Sequence, residues 1–272
     1  MTVRDALRAA TATLSAMSES ARLDAELLMA HVLGTEREAM LLEHLDAAVP
    51  EAFDALVARR AAHEPLAYIV GHREFWSLDF AVGPGVLIPR PESETLIEAA
   101  IKARVDNPPA AILDLGTGSG ALLLAALSEW PDARGLGIDR SEAALGYARK
   151  NAERLGFADR ASFRAGNWGD GETGRYDLVL CNPPYVASDA ELSPDIANFE
   201  PEAALFAADA GLAAYRAIVP QLKGLLAEGG VACLELGAGQ SVAVSRLCAE
   251  QGLETAISRD LAGHDRCLII HN

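Results

Sequence analysis

Four consecutive residues, Asn182-Pro183-Pro184-Tyr185, combine two hydrogen-bond acceptors with an aromatic ring. The Asn182 side-chain oxygen and the Pro183 carbonyl can each accept one N–H bond from a planar NH₂ group, and the Tyr185 ring can stack on it. A second cluster runs Asp114-Leu115-Gly116-Thr117-Gly118-Ser119-Gly120. Its glycines let the backbone turn tightly and let a ligand approach with no Cβ in the way. Asp139 lies 19 residues beyond Gly120, where a carboxylate can accept both ribose hydroxyls of an adenosine. With Ala121 the turn also satisfies G-x-G-x-x-G/A, so a nicotinamide or flavin site is a rival reading. Asp114 favours S-adenosylmethionine. A carboxylate there can receive the methionine ammonium but is poorly placed near a pyrophosphate. Together the clusters indicate methyl transfer to an amide or exocyclic amino nitrogen.

These residues need elements that bring them to one place. From Pro91 onward, strand-like runs alternate with helical stretches: 110–116, 134–139, 161–166, 176–182, 230–237, 253–260 and 265–272. Several are continuous apolar runs, as expected of strands covered by helices on both faces of a parallel sheet. The pattern predicts an open, doubly wound α/β domain. The glycine turn then closes the first strand and opens a helix. Asn182 follows the fourth strand, near the switch point where such sheets bind ligands. Residues 1–75 read instead as helices: 3–17, 21–33 stopping at Gly34, one after Thr35 with Glu38 at capping-box spacing, and one from Pro50–Glu51 ending before Pro65. Ser18 and Ser20 are candidate caps for the second. Its apolar face is read as Leu23, Leu27, Leu28, His31 and Val32. Between them, WSLDFAV, Gly83-Pro84-Gly85 and VLIP read as a β-hairpin on a Gly/Pro turn. The expected domains are 1–74, helical and partner-docking; 75–90, the hairpin linker; and 91–272, the α/β domain.

The chain has 272 residues and a formal net charge of -16. Residues 1–75 carry 7 basic and 12 acidic side chains, so no basic half hides behind the average. Such a chain is a poor match for duplex nucleic acid or an anionic membrane, both of which require clustered Lys and Arg. The four cysteines, Cys181, Cys233, Cys248 and Cys267, show no CxxC spacing, and no metal site is expected. No apolar run approaches signal-peptide or membrane-span length, which reads as a cytoplasmic protein.

The sequence resembles the PrmC/HemK family, the peptide chain release factor glutamine N5-methyltransferases. The resemblance rests on EPLAYIVGHREFW (64–76), VLIPRPESETLIE (86–98), DLGTGSG (114–120), GIDRS (137–141), CNPPYV (181–186), FEPEAALFAADAGL (199–212) and DLAGHDR (260–266). NPPY alone is shared with DNA adenine N6-methyltransferases and several RNA methyltransferases. The other segments are more specific. The resemblance implies a Rossmann-like, seven-stranded class I methyltransferase domain behind a small N-terminal helical bundle. It implies methylation of the glutamine of a GGQ tripeptide in class 1 release factors, with S-adenosyl-L-methionine converted to S-adenosyl-L-homocysteine.

The expected cofactor residues are Asp114, Gly116, Thr117, Gly118, Ser119, Gly120, Asp139, Trp168 and Asn182. Asn182, Pro183, Pro184 and Tyr185 are expected to bind substrate, with Asn182, Pro183 and Tyr185 catalytic. Two positions depart from the family pattern. Ser93 stands where Thr is usual, and Asn167 where Asp is common, which keeps an acceptor oxygen but loses a charge. Arg90, Glu92, Phe199 and Glu200 read equally as loop supports or as parts of the site entrance. His264 reads as supporting a turn. The rival activities are a nucleic-acid amino methyltransferase and a nicotinamide oxidoreductase.

Overall fold

Ala- and Leu-rich sequence at the N-terminal end folds into five helices: α1 Val3–Leu14, α2 Ala21–Leu33, α3 Arg37–Glu43, α4 Phe53–Ala61 and α5 Leu66–Val70. A computed structural model describes residues 1–272. It divides into two compact units, Met1–His72 with Leu192–Phe199, and Arg73–Glu191 with Glu200–Asn272.

In the helical unit, the Thr2 side chain accepts from the Asp5 N–H and the Asp5 carboxylate from the Thr2 N–H, a complete capping box. The helix then buries Val3, Ala6, Leu7, Ala10 and Leu14, one stripe at helical spacing. Helix α2 corrects the expected face. It buries Asp24, Ala25, Glu26, Leu28 and Met29, while Leu23 and His31 are exposed. The cause is ion pairing. Arg60 Nε lies 2.8 Å from the Asp24 carboxylate, and Arg22 and Arg37 both bond Glu26, so two carboxylates occupy positions that periodicity gives to apolar residues. Ser18 and Ser20 donate to Asp24 instead of capping backbone N–H groups. Thr35 does not cap α3, which starts after Glu36. The segment after Pro65 forms the unexpected α5, entered at Pro65 and closed by Gly71 in the left-handed region.

A hairpin follows, β1 His72–Phe75 and β2 Leu78–Ala81. Its turn is Trp76-Ser77, both at positive φ (52° and 58°), and not Gly83-Pro84-Gly85; residues 86–89 form no strand. Primed turns usually signal themselves by Asn-Gly. Here Glu94 and Glu74 hold the Trp76 and Ser77 N–H groups, so the turn is maintained by carboxylates, one of them distant in sequence.

A 3₁₀ turn, Pro91–Ser93, leads into α6 Glu94–Ala103. There follow β3 Ala111–Leu115, α7 Ala121–Glu129, β4 Arg134–Asp139, α8 Glu142–Arg154, β5 Ala161–Ala165, β6 Tyr176–Cys181 and β7 Val186–Ala187. A short helix α9, Pro194–Ala197, falls in the stretch grouped with the helical unit. Next come α10 Glu202–Leu205, β8 Phe206–Ala207, α11 Ala213–Leu225, β9 Leu226–Glu235, α12 Ser241–Glu250, β10 Glu254–Arg259 and β11 Asp265–His271.

Seven strands form one sheet in the order β10-β11-β9-β6-β3-β4-β5. All pair in parallel except β11, which is antiparallel to both neighbours, so the sheet is mixed. β4 and β5 extend one side of β3, and β6 starts the other. The chain therefore reverses direction of growth at β3, and a crevice opens there at the strand carboxyl ends. One face of the sheet, with Leu113, Leu115, Val179, Cys181 and Leu234, packs on Tyr215, Ile218 and Leu222 of α11 and Val244 of α12. Strand alternation sends Asp114 and Glu235 to the opposite face, with α6 and α7. All four cysteines are buried thiols, and no helix is long and apolar enough to cross a membrane.

Candidate active site

A cavity of ≈ 420 Å³ lies at this switch point, wholly within the second unit. Of the residues singled out from sequence, Gly116, Thr117, Gly118, Ser119, Asp139, Trp168, Asn182 and Pro184 line it, while Asp114, Gly120, Pro183 and Tyr185 stand behind the wall.

Gly116 and Gly118 both sit at positive φ (71° and 57°), which aims successive backbone groups of the turn toward the cavity. A Cβ on Gly116 would approach the Trp168 ring to 3.1 Å, so that indole can pack directly over the turn. Asp139 accepts from the Gly118 N–H (2.9 Å) with one oxygen and from the Ser141 N–H (2.8 Å) with the other. Its carboxylate is thereby fixed in orientation, with lone pairs left for a diol. Asn167 donates its NH₂ to Asp170 at 3.1 Å, leaving its oxygen as the acceptor beside Trp168.

Asp114 is 1% exposed. One oxygen accepts from the Thr117 hydroxyl at 2.6 Å; the other is buried without a hydrogen-bond partner. Burial pushes its pKa up to about 7, with the Thr117 hydrogen bond opposing the shift and the Asp139 charge adding to it. A buried acceptor with nothing to accept is costly in isolation and suits a cationic ligand group. The residues present thus fit an adenosyl amino acid: a glycine cradle, a diol acceptor, an aromatic plane and a carboxylate for an ammonium.

The NPPY segment is tied into a network that sequence reading did not find. Asn182 donates its NH₂ to the Ser93 hydroxyl (3.0 Å), Ser93 donates to one oxygen of Glu235 (2.5 Å), and the Tyr185 hydroxyl donates to the other (3.2 Å). Glu235 is buried, and burial raises its pKa to about 7 against the lowering influence of Ser93, Arg266 and Tyr185; Glu92 adds to the rise. Burial and the Glu235 charge push the Tyr185 hydroxyl well up, so it stays protonated and donates. Gln240 donates to the Tyr185 carbonyl (3.1 Å) and accepts from the Gly237 N–H (3.1 Å). Gly211, at φ 85°, lets the chain pass so close that a Cβ would lie 2.2 Å from the Tyr185 carbonyl oxygen.

Glu200 resolves one open reading: it is buried, accepts from the Ile88 N–H (3.0 Å) and pairs with Arg90 (2.5 Å), clamping residues 88–90. Asp260 accepts from the His264 N–H, so the DLAGHDR segment is a hydrogen-bonded turn between β10 and β11. The missed residues are Ser93, Glu235 and Gln240. Glu235 had a usable signal, a carboxylate near the carboxyl end of the otherwise apolar run GVACLELG.

Comparison with known proteins agrees with this architecture. A family model described as the PrmC N-terminal domain matches residues 5–71, and one described as a methyltransferase domain matches residues 106–233. Among solved structures, the hMettl16 catalytic domain superposes with a TM-score of 0.58 at 19% identity, covering 89% of this chain and 91% of that one, a likeness of fold alone. The release factor glutamine methyltransferase of Rhodospirillum rubrum is 44% identical over 92% of this chain and 79% of its own length. That of Cereibacter sphaeroides is 43% identical over 98% of this chain and 97% of its own. With both regions matched by likenesses of this extent, the chain belongs to the release factor glutamine methyltransferase family.

Proposed function

We propose that this chain methylates the side-chain amide nitrogen (N5) of the glutamine in the GGQ motif of class 1 peptide chain release factors. The methyl donor in this reading is S-adenosyl-L-methionine and the product S-adenosyl-L-homocysteine. The observation that carries it is the held Asn182 amide. With its NH₂ committed to Ser93, its oxygen is the atom available to an incoming N–H group.

When bound, the cofactor supplies a methyl group activated by a sulfonium. The protein's own task is binding and aiming. Gly116 to Gly120, Asp139 and Trp168 cradle the adenosine, and Asp114 receives the ammonium. Asn182 and the Pro183 carbonyl accept the two amide hydrogens of glutamine, while Pro184 and Tyr185 shape the place where the flat group lies. Held this way, the amide offers its nitrogen to the methyl group, and both acceptors favour the positive charge that nitrogen gains. The nitrogen loses a proton after transfer, so no strong base is needed at the motif. Residues 1–74 are the proposed docking region for the release factor, joined through residues 75–90 to the catalytic residues 91–272. The overall acidity, net charge -16, favours a protein over a nucleic acid as acceptor.

The test is transfer of label from methyl-labelled S-adenosylmethionine to a purified class 1 release factor, to DNA and to ribosomal RNA in parallel. Label in the release factor that disappears when its GGQ glutamine is replaced by alanine is the expected result. Label in a nucleic acid and none in the release factor overturns the proposal.

A further inference from the structure

We propose that Glu235 is a positioning residue that sets which way round the Asn182 amide is held, and that Ser93 transmits the setting. This rests on the reading of Asn182 as the acceptor for the substrate nitrogen.

An asparagine side chain can be held either way round in a pocket, and its two ends have opposite hydrogen-bonding sense. Only the oxygen can accept from a substrate NH₂; the flipped amide would present N–H against N–H. Asn182 cannot choose by itself, so the choice falls to its partner. A serine hydroxyl can donate one hydrogen bond and can accept. The Ser93 hydrogen goes to the Glu235 carboxylate at 2.5 Å, which leaves Ser93 only as an acceptor toward Asn182. That in turn admits the Asn182 NH₂ and not its oxygen. An ionised carboxylate accepts and never donates, so with Glu235 ionised the order along the chain Asn182–Ser93–Glu235 has a single sense.

The same carboxylate also accepts from Tyr185, so both ends of the four-residue motif answer to one group. Arg266 supplies the nearby positive charge that favours its ionised form, and Glu92 opposes it. Burial of Glu235 excludes the water that would otherwise offer Ser93 another partner. A neutral side chain at 235 can donate, which lets Ser93 turn its hydrogen toward Asn182 and removes the bias.

Glu235→Gln keeps size and shape but removes the acceptor-only character. Its kcat for methyl transfer to the release factor should fall on the order of 10²-fold, as for a reacting group held out of line. The Kd for S-adenosylhomocysteine should stay within about twofold, because Glu235 does not line the cofactor cavity. Ser93→Ala should lose at least about tenfold in kcat, Ser93→Thr should retain activity, and Ser93→Ala with Glu235→Gln should be no worse than Glu235→Gln alone. A wild-type-like kcat in Glu235→Gln, an equal loss of cofactor affinity, or multiplying losses in the double variant would overturn the proposal. If Glu235→Gln does not fold, Ser93→Ala against Ser93→Thr carries the same comparison: equal kcat in those two overturns it. Wild-type protein inactive on the release factor would instead refute the proposed substrate, which keeps the two failures distinguishable.

Discussion

Replacing Asp114 by Asn should change cofactor affinity and bare-protein stability in opposite directions, and the structure sets the size of both effects. Asp114 is fully buried, with one oxygen bonded to Thr117 and the other unpartnered, and its pKa stands at about 7. In the proposed site a ligand ammonium binds the carboxylate, so affinity should track the ionised fraction. With a pKa of about 7 that fraction rises about 25-fold between pH ~5.5 and ~7.5, and the dissociation constant should fall by nearly as much. Asp114→Asn abolishes the slope. At pH ~7.5 it should weaken binding by about 2–4 kcal/mol, roughly 30- to 10³-fold, the range for truncating one partner of a buried charge pair.

Stability moves the other way. The folded-state pKa of Asp114 lies above its ordinary value of 3.8, so its contribution is fully present below about pH 4 and is lost as pH rises through about 7. Above neutrality the bare wild-type protein therefore carries a cost of a few kcal/mol that the Asn variant lacks. Isothermal titration with S-adenosylhomocysteine across this range, with thermal denaturation of both ligand-free proteins, reads both effects. Glu235 ionises in the same range, so Glu235→Gln serves as control and should keep the affinity slope. A wild-type affinity independent of pH, or a slope that survives in Asp114→Asn, refutes the assignment of Asp114 to the ammonium.

Two further substitutions test the walls of the substrate side. Asn182→Ala should cost at least ~10²-fold in kcat, measured by steady-state methyl transfer; a loss confined to KM for the release factor would contradict its role in aiming. Gly211→Ala forces a Cβ to within 2.2 Å of the Tyr185 carbonyl oxygen and strains a φ of 85°. It should destabilise by more than about 1 kcal/mol in chemical denaturation and lower kcat, because the displaced backbone belongs to the NPPY motif.

The parts of this protein that could be read from sequence are those built by local pattern. All seven strands of the main sheet overlap the expected segments, several of them apolar runs, and the second spans the expected 134–139. What was missed depends on distant partners. Asp24 and Glu26 are buried in α2 because Arg60 and Arg37 reach them from other helices, and no periodicity registers that. The Trp76-Ser77 turn carries no Asn or Gly, since Glu94 supports it from α6, and the local pattern points to Gly83-Pro84-Gly85 instead. Ser93 was visible only as a departure from a family pattern. Its bonds to Asn182 and Glu235 span 89 and 142 positions, a separation only the folded domain brings together.

Asp114 and Glu235 show why a perturbed carboxylate does not declare its own role. Both are buried on the same face of the sheet, at the carboxyl ends of β3 and β9, and burial moves both to about 7. A shift alone would nominate them equally as catalytic groups. Their oxygens separate them. Glu235 has both engaged by protein hydroxyls, one leading to Asn182 and the other belonging to Tyr185, so its acceptor capacity is spent inside the wall. Asp114 keeps an oxygen with nothing bonded to it beneath Thr117, a residue that lines the cavity. A buried acceptor without a donor calls for a reason, and a ligand cation that completes it is the reason proposed for Asp114. In the proposed reading the charge at Asp114 serves a ligand ammonium, while the charge at Glu235 serves Ser93 and Tyr185.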